Sequence, residues 1–162
     1  MAGHVEVSGL SIVVASAEAG EIPIVSDVGF NIAPGEVLAL IGESGSGKTT
    51  IALALMGYAR MGARIAGGQI RIGDDDILSL GPEAVRALRG RRIAYIAQSA
   101  AAAFNPSRTI MNQVIEPALI HGTARRAEAE VKAVALFREL ALPDPEAIGR
   151  RYPHQVSGGQ LQ

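Results

Sequence analysis

The segment Gly42-Glu43-Ser44-Gly45-Ser46-Gly47-Lys48-Thr49 matches Gly-x-x-x-x-Gly-Lys-Thr at every fixed position. Each residue type has a physical reason to be there. Glycines let a backbone fold around an anion without Cβ clashes. The loop amides then point inward as a nest for phosphate oxygens. A helix starting near Lys48 adds the positive end of its dipole. Lys48 would place a charge on β- and γ-phosphates, and the Thr49 hydroxyl would suit Mg²⁺. Thr50 completes the binding segment. A glycine-rich turn carrying a lone lysine is the plain alternative, and the flanking elements weigh against it.

Those elements are a strand before the loop and a helix after it. Val37-Leu38-Ala39-Leu40-Ile41 is a short apolar run that predicts a strand buried on both faces, as in a parallel sheet. Lys48 to Met56 holds good helix formers, and Gly57 fits just past the helix end. Val5, Val7, Ile12 and Val14 give a broken alternation, and Val28, Phe30 and Ile32 a clean one, so the first third reads as strands. Gly68 to Ile72 and Arg92 to Ala97 are further predicted strands, and Pro82 to Leu88 a short helix with Pro in its first turn. After Gln98 the pattern becomes helical over Thr109–His121 and Thr123–Leu140. In the second of these Ala127, Val131, Val134, Phe137 and Ala141 mark one face. Asp144-Pro145 reads as a helix start. Residues 1–98 are therefore expected to form a β and α/β part, 99–156 a helical subdomain, and 157–162 a separate motif at the end.

That motif is Ser157-Gly158-Gly159-Gln160, preceded by Tyr152-Pro153-His154-Gln155-Val156. Alone, it is only a loop leading into a helix. Taken with the phosphate loop upstream, the chain resembles the ATP-binding cassette (ABC) family across essentially its whole length. Ser157 to Gln160 looks like that family's signature, and Gln98 like its Q-loop glutamine. Phe104-Asn105-Pro106 and Arg151-Tyr152-Pro153-His154-Gln155 resemble the dipeptide, oligopeptide and nickel importer ATPases.

The resemblance implies an α/β fold: a P-loop NTPase core with an N-terminal antiparallel β subdomain and an α-helical subdomain, the C-terminal part of the core missing. It implies ATP and Mg²⁺ as cofactors, with Lys48 and Gln98 in catalytic roles and Thr49 and Gln98 at the metal. Gly42 to Thr50 would hold the nucleotide of one copy. Ser157, Gly158, Gly159 and Gln160 of a second ATPase subunit would close over it. Integral membrane permease subunits would dock near Gln98 to Pro106, on the cytoplasmic face of the inner membrane. The activity would be ATP hydrolysis driving import of peptides or a solute such as nickel. A soluble ABC-type ATPase of a metabolic or nucleic-acid complex, or a non-catalytic nucleotide-binding fragment, are the alternatives.

The pattern is departed from in three places. No aromatic lies between Ala19 and Ile22, where the family stacks a ring on adenine, so an aliphatic such as Ile22 would meet the base. Ser99-Ala100-Ala101 replaces a more polar sequence after Gln98. The strand ending in Asp-Glu and the switch histidine, which follow the signature in the family, have no counterpart before Gln162. Asp74-Asp75-Asp76 follows a short strand and reads as a solvated turn, and His121 and His154 precede the signature. A fragment of a longer parent is therefore expected, able to bind nucleotide but not to turn it over.

Composition narrows the rest. Fifteen basic and 16 acidic side chains leave a net charge of −1, with no basic excess for nucleic acid. Cysteine is absent, which excludes disulfide frameworks and thiolate metal sites. Met1 to Leu10 lacks the character of a secretory signal, and no run reaches the about 18 apolar residues of a membrane span.

Overall fold

The computed structural model describes residues 3–162; residues 1 and 2 of the expected 1–98 part lie outside the described residues. The chain forms two compact units, one running to Tyr95 and one from Ile96 to Gln162.

The first unit is built on four antiparallel strands in the order β2-β1-β3-β4. These are β1 (Val5–Ser16), β2 (Gly20–Ile32), β3 (Ala63–Ile72) and β4 (Asp75–Asp76). The alternation read at both ends of the first hairpin is real: Val7, Leu10 and Ile12 are buried, while Val28, Phe30 and Ile32 are half-buried. Helix α1 (Lys48–Ala54) lays Ile51 and Ala54 on this sheet, in one core with Val25, Ile70, Ile72 and Ile77. Helix α2 (Pro82–Leu88) has the predicted bounds, with Pro82 at its first position.

The two central strands meet at a bulge. Pairing runs from Ser8↔Gln69 to Ser11↔Gly67, and the register shifts between. There Gly68 adopts φ +101°, and a Cβ on it would lie 2.6 Å from the Leu10 Cα. No side chain can occupy that space, because the obstacle is backbone. Gly67, next door, faces nothing within 4 Å.

Two predicted strands do not form. Val37 to Ile41 pairs with no strand among the described residues, and Val37 and Ile41 are 92% and 93% exposed. Arg92 to Ala97 keeps only the isolated bridge Arg89↔Ile93. A strand exists through its neighbours' hydrogen bonds, and an apolar run without them stays irregular.

The second unit is helical. It comprises α3 (Ala100–Ala103), α4 (Ile110–Val114), α5 (Glu116–Ile120), α6 (Arg126–Glu139), α7 (Pro145–Ile148), a 3₁₀ turn over Pro153–Gln155, and α8 (Gly158–Leu161). The single helix predicted over Thr109–His121 is two, broken at Ile115. Pro117 has no N–H to donate back into the preceding turn. The expected face of α6 is displaced in part: Phe137 is buried as expected, but Ala127 and Val131 are exposed. Ala129, Ala133 and Phe137 are buried with Ile110, Ile115 and Ile148, whereas Val131 is 72% exposed. The small alanines at i, i+4 let α6 approach its neighbours closely, and that outweighs the bulk of the valines. Asp144 does precede α7, but in the left-handed region (φ 52°) and without a side-chain cap bond.

Of the three aspartates expected in a solvated turn, Asp74 lies in the turn between β3 and β4, while Asp75 and Asp76 form β4 itself. Asp75 pairs with Arg92 at 2.8 Å. Asp76 accepts from Gln69 Nε2 at 2.8 Å and Ser79 Oγ at 2.9 Å. These bonds, the one from Gln69 first, hold its carboxyl below the ordinary value.

Two outcomes are expected from urea denaturation. Gly68→Ala should lower stability by about 2 kcal/mol or more, while Gly67→Ala stays within about 1 kcal/mol of the parent. Equal effects would contradict the bulge argument. Because the Asp76 pKa is depressed on folding, its contribution is present above the unfolded value and lost as pH falls through the folded one. The stability difference between parent and Asp76→Asn should therefore shrink on acidification from about pH 5 to about pH 2. A difference that stays constant with pH would contradict this.

Candidate phosphate-binding site

The loop from Gly42 to Gly47 is a turn that runs directly into α1. Gly47 is the residue before the helix and sits at φ +88°. It is buried, and a Cβ there would meet Val25 Cγ2 at 3.1 Å and the Ile24 carbonyl oxygen at 3.3 Å. Both its backbone angle and its packing against β2 demand glycine. Its carbonyl accepts from Ile51 N at 2.9 Å and so starts the helix.

Lys48, the first residue of α1, turns back over the loop. Its Nζ donates to the Gly42 carbonyl at 2.7 Å, to the Glu43 carbonyl, and to Ser46 Oγ at 3.1 Å. Ser46 N closes the turn by donating to the Glu43 carbonyl at 3.2 Å. The ammonium is thus held over a ring of loop oxygens, at a helix start whose N–H groups have no intrahelical partner. Ser44, Gly45 and Thr49 are exposed, and Thr50 is half-buried on the helix's first turn. A phosphate entering this concavity would meet a positive charge, bare amides and a dipole end together. No cluster of three His, Cys, Asp or Glu able to hold a metal exists among the described residues. The exposed Thr49 hydroxyl suits a cation that arrives already bound to phosphate oxygens.

Beside the loop, β2 presents an aliphatic patch. Ile22 is 43% and Ile24 36% exposed. Ile22 pairs with Val14 on β1, and Ile24 Cγ2 lies 3.8 Å from where a Gly47 Cβ would be. Ala19 lies in the hairpin turn, where Ser16 Oγ accepts from its N–H. Ile24 was not among the sequence candidates. The two-residue period along β2 from Ile22 was the signal that could have found it.

In the second unit, Gln98 is exposed just before Ser99. The Ser99 hydroxyl oxygen caps α3 by accepting from Ala102 N at 3.4 Å. Asn105 is pinned in both directions by Gln113, with Asn105 N donating to Oε1 at 2.8 Å and Gln113 Nε2 donating to the Asn105 carbonyl at 3.0 Å. The segment between Gln98 and Pro106 is therefore a fixed surface of this unit.

The Ser157 motif forms a helix start closed by a capping box. Gln160 N donates to Ser157 Oγ at 3.3 Å, and Ser157 N donates to Gln160 Oε1 at 2.9 Å. Ser157, Gly158 and Gly159 are exposed. A Cβ on Gly158 or Gly159 would meet nothing within 4 Å, and neither has a positive φ. Nothing in their own unit requires these two to be glycine.

Comparison with known proteins adds the following. A family model described as ABC transporter matches residues 25–162. The oligopeptide transport ATP-binding protein AppD of Bacillus subtilis is 37% identical over 142 residues, covering 87% of this chain and 43% of the relative. The metal-staphylopine import system ATP-binding protein CntD of Staphylococcus aureus is also 37% identical over 142 residues, covering 86% and 51%. The chain spans about half the length of the curated relatives it matches. Among solved structures, the dimeric ATP-binding cassette MJ0796 in a post-hydrolysis state bound to ADP and Pi aligns over 97% of this chain and 65% of its own. Its TM-score is 0.73 at 21% identity. That likeness is one of fold, and it places the sheet and helices within the ABC cassette architecture expected from sequence.

Gly47→Ala should cost about 1–3 kcal/mol in thermal or urea unfolding. Unchanged stability would contradict the packing assigned to Gly47.

Proposed function

The chain belongs to the ABC transporter family, and we propose that it is the ATP-binding part of an importer ATPase that binds and hydrolyses ATP to drive transport. The observation that carries this reading is Lys48. Its ammonium is held over the loop oxygens at the start of α1, where β- and γ-phosphates would take over its contacts. Gly42, Glu43, Ser44, Gly45, Ser46, Gly47, Thr49 and Thr50 form the rest of that cradle. Mg²⁺ would neutralise phosphate charge, with the Thr49 hydroxyl as a protein oxygen for it. Lys48 and Gln98 are the residues assigned to catalysis.

The facing wall is assigned to Ser157, Gly158, Gly159 and Gln160 of a second ATPase subunit. The glycines support this: a bare surface that its own unit does not need suits close approach by another molecule. Ser157, Gly158 and Gly159 are exposed at the capped start of α8. Permease subunits are assigned to the surface between Gln98 and Pro106, which places the protein at the cytoplasmic face of the inner membrane. No helix among the described residues is long and apolar enough to cross a membrane. Peptides or a metal complex are the proposed cargo class, because AppD is named for oligopeptide transport and CntD for metal-staphylopine import; nickel rests on the sequence resemblance alone. The adenine is assigned to Ile22 and Ile24, an aliphatic surface that contacts a base without stacking a ring on it.

Lys48→Ala should abolish ATP binding by calorimetry, a loss of at least about 100-fold, without unfolding the chain. Retained affinity would refute the loop assignment. Gly158→Ala should leave stability unchanged or raise it by up to about 1 kcal/mol, since alanine favours helix. It should nevertheless depress turnover when introduced into the dimer of the longer parent ATPase. Normal turnover in that variant would remove the glycine argument for a shared site.

A further inference from the structure

The far end of α1 is held by a side chain that the family motifs leave out. Arg89, at the end of α2, donates from Nε to the Met56 carbonyl at 2.9 Å and from a terminal nitrogen to the Gly57 carbonyl at 3.1 Å. It is half-buried, and no carboxylate pairs with it among the described residues. Its charge faces the carbonyl end of the helix instead, the negative end of the dipole. Gly57 sits at φ +62° in the closing turn, with Gly57 N donating to the Ala54 carbonyl at 2.8 Å. A Cβ there would meet Val85 Cγ1 at 3.0 Å and Ile77 Cγ2 at 3.1 Å. Helix α2 and the chain after β4 therefore grip the end of α1 by close packing and by a guanidinium fork across two successive carbonyls.

We propose that Arg89 is a positioning residue for phosphate binding, acting through α1 on Lys48 and the loop. This rests on the assignment of Gly42 to Thr50 as the phosphate site. Helix α1 has seven residues, so its length is only about 10 Å. Ile51 and Ala54 are buried against the sheet, and because apolar burial is non-directional it restrains the helix's depth more than its axial position. Directional bonds at the far end supply that axial restraint. A helix this short moves as one body, so a shift at Met56 appears at Lys48. Hydrogen bonds to phosphate tolerate only a few tenths of an ångström.

The test compares ATP and inorganic tripolyphosphate binding in the full chain and in Arg89→Gln, Arg89→Lys, Arg86→Gln and Lys48→Ala. Amide hydrogen exchange is followed in α1 and in β1–β3. Arg89→Gln should weaken both ligands about tenfold, the weight of a charge-assisted bond pair. Arg89→Lys, one point donor instead of a fork, should recover part of the loss. Exchange should quicken in α1 and its closing turn while β1–β3 stay protected. Arg86→Gln, on the exposed side of α2, should bind like the parent. The proposal is overturned if Arg89→Gln binds both ligands within twofold of the parent. It is equally overturned if affinity falls only in step with lost protection across β1–β3, which marks a purely structural role, or if the lysine variant recovers nothing. If the parent fails to bind, or Lys48→Ala binds as well as the parent, the phosphate-site assignment itself fails and the Arg89 proposal with it.

Discussion

A backbone cradle for an anion leaves little room for side chains of its own, because the space they would need is the binding site. Its geometry must come from its ends. Here the constraint is the junction at Gly47. The left-handed turn presses against Val25 and the Ile24 carbonyl, and its own carbonyl accepts the first helical bond from Ile51. Without that junction, α1 would not start at Lys48, and the ammonium would not reach back to Gly42 and Ser46. The antiparallel sheet serves this junction by fixing β2 through β1. The bulge at Gly68 in turn lets β1 and β3 approach closely enough to bury Leu10 and Ile70 beneath the helix.

The second unit solves a different problem: presenting short, rigid surfaces from very short helices. Helices of four or five residues do not hold together by their own bonds. They are held by a small core around Ala129, Ala133 and Phe137, by the bonds from Ile110 N and Met111 N to the Arg151 and Gly149 carbonyls, and by side-chain caps. The Ser157 capping box belongs to this set. It orders the outward-facing turn while leaving its glycines bare.

Much of this was legible in the chain before its structure. The glycine-rich turn from Gly42 to Gly47, the start of α1, the bounds of α2 and the alternating β1 and β2 each follow from local chemistry: glycine freedom, proline at a helix start, a two-residue period. Failures came where the outcome depends on a partner rather than on the segment. Val37 to Ile41 reads as a buried strand, yet it has no pairing strand among the described residues and stays exposed. The core face of α6 follows close approach at its alanines, which a hydrophobicity pattern underweights. Ile24 is marked by no local motif, because its place beside Gly47 is a contact between distant segments. Arg89 is the same case, two bonds across more than thirty residues that no motif announces.

The central claim is that the loop from Gly42 to Thr49 is an anion site made of backbone amides under Lys48. Titrating the isotopically labelled chain with inorganic tripolyphosphate, and following backbone amide resonances, tests it without any base, metal or partner. The account requires saturable shifts concentrated on the amides of residues 44 to 50, and their loss in Lys48→Ala. Shifts that never saturate, or that cluster elsewhere while the loop stays silent, would contradict it.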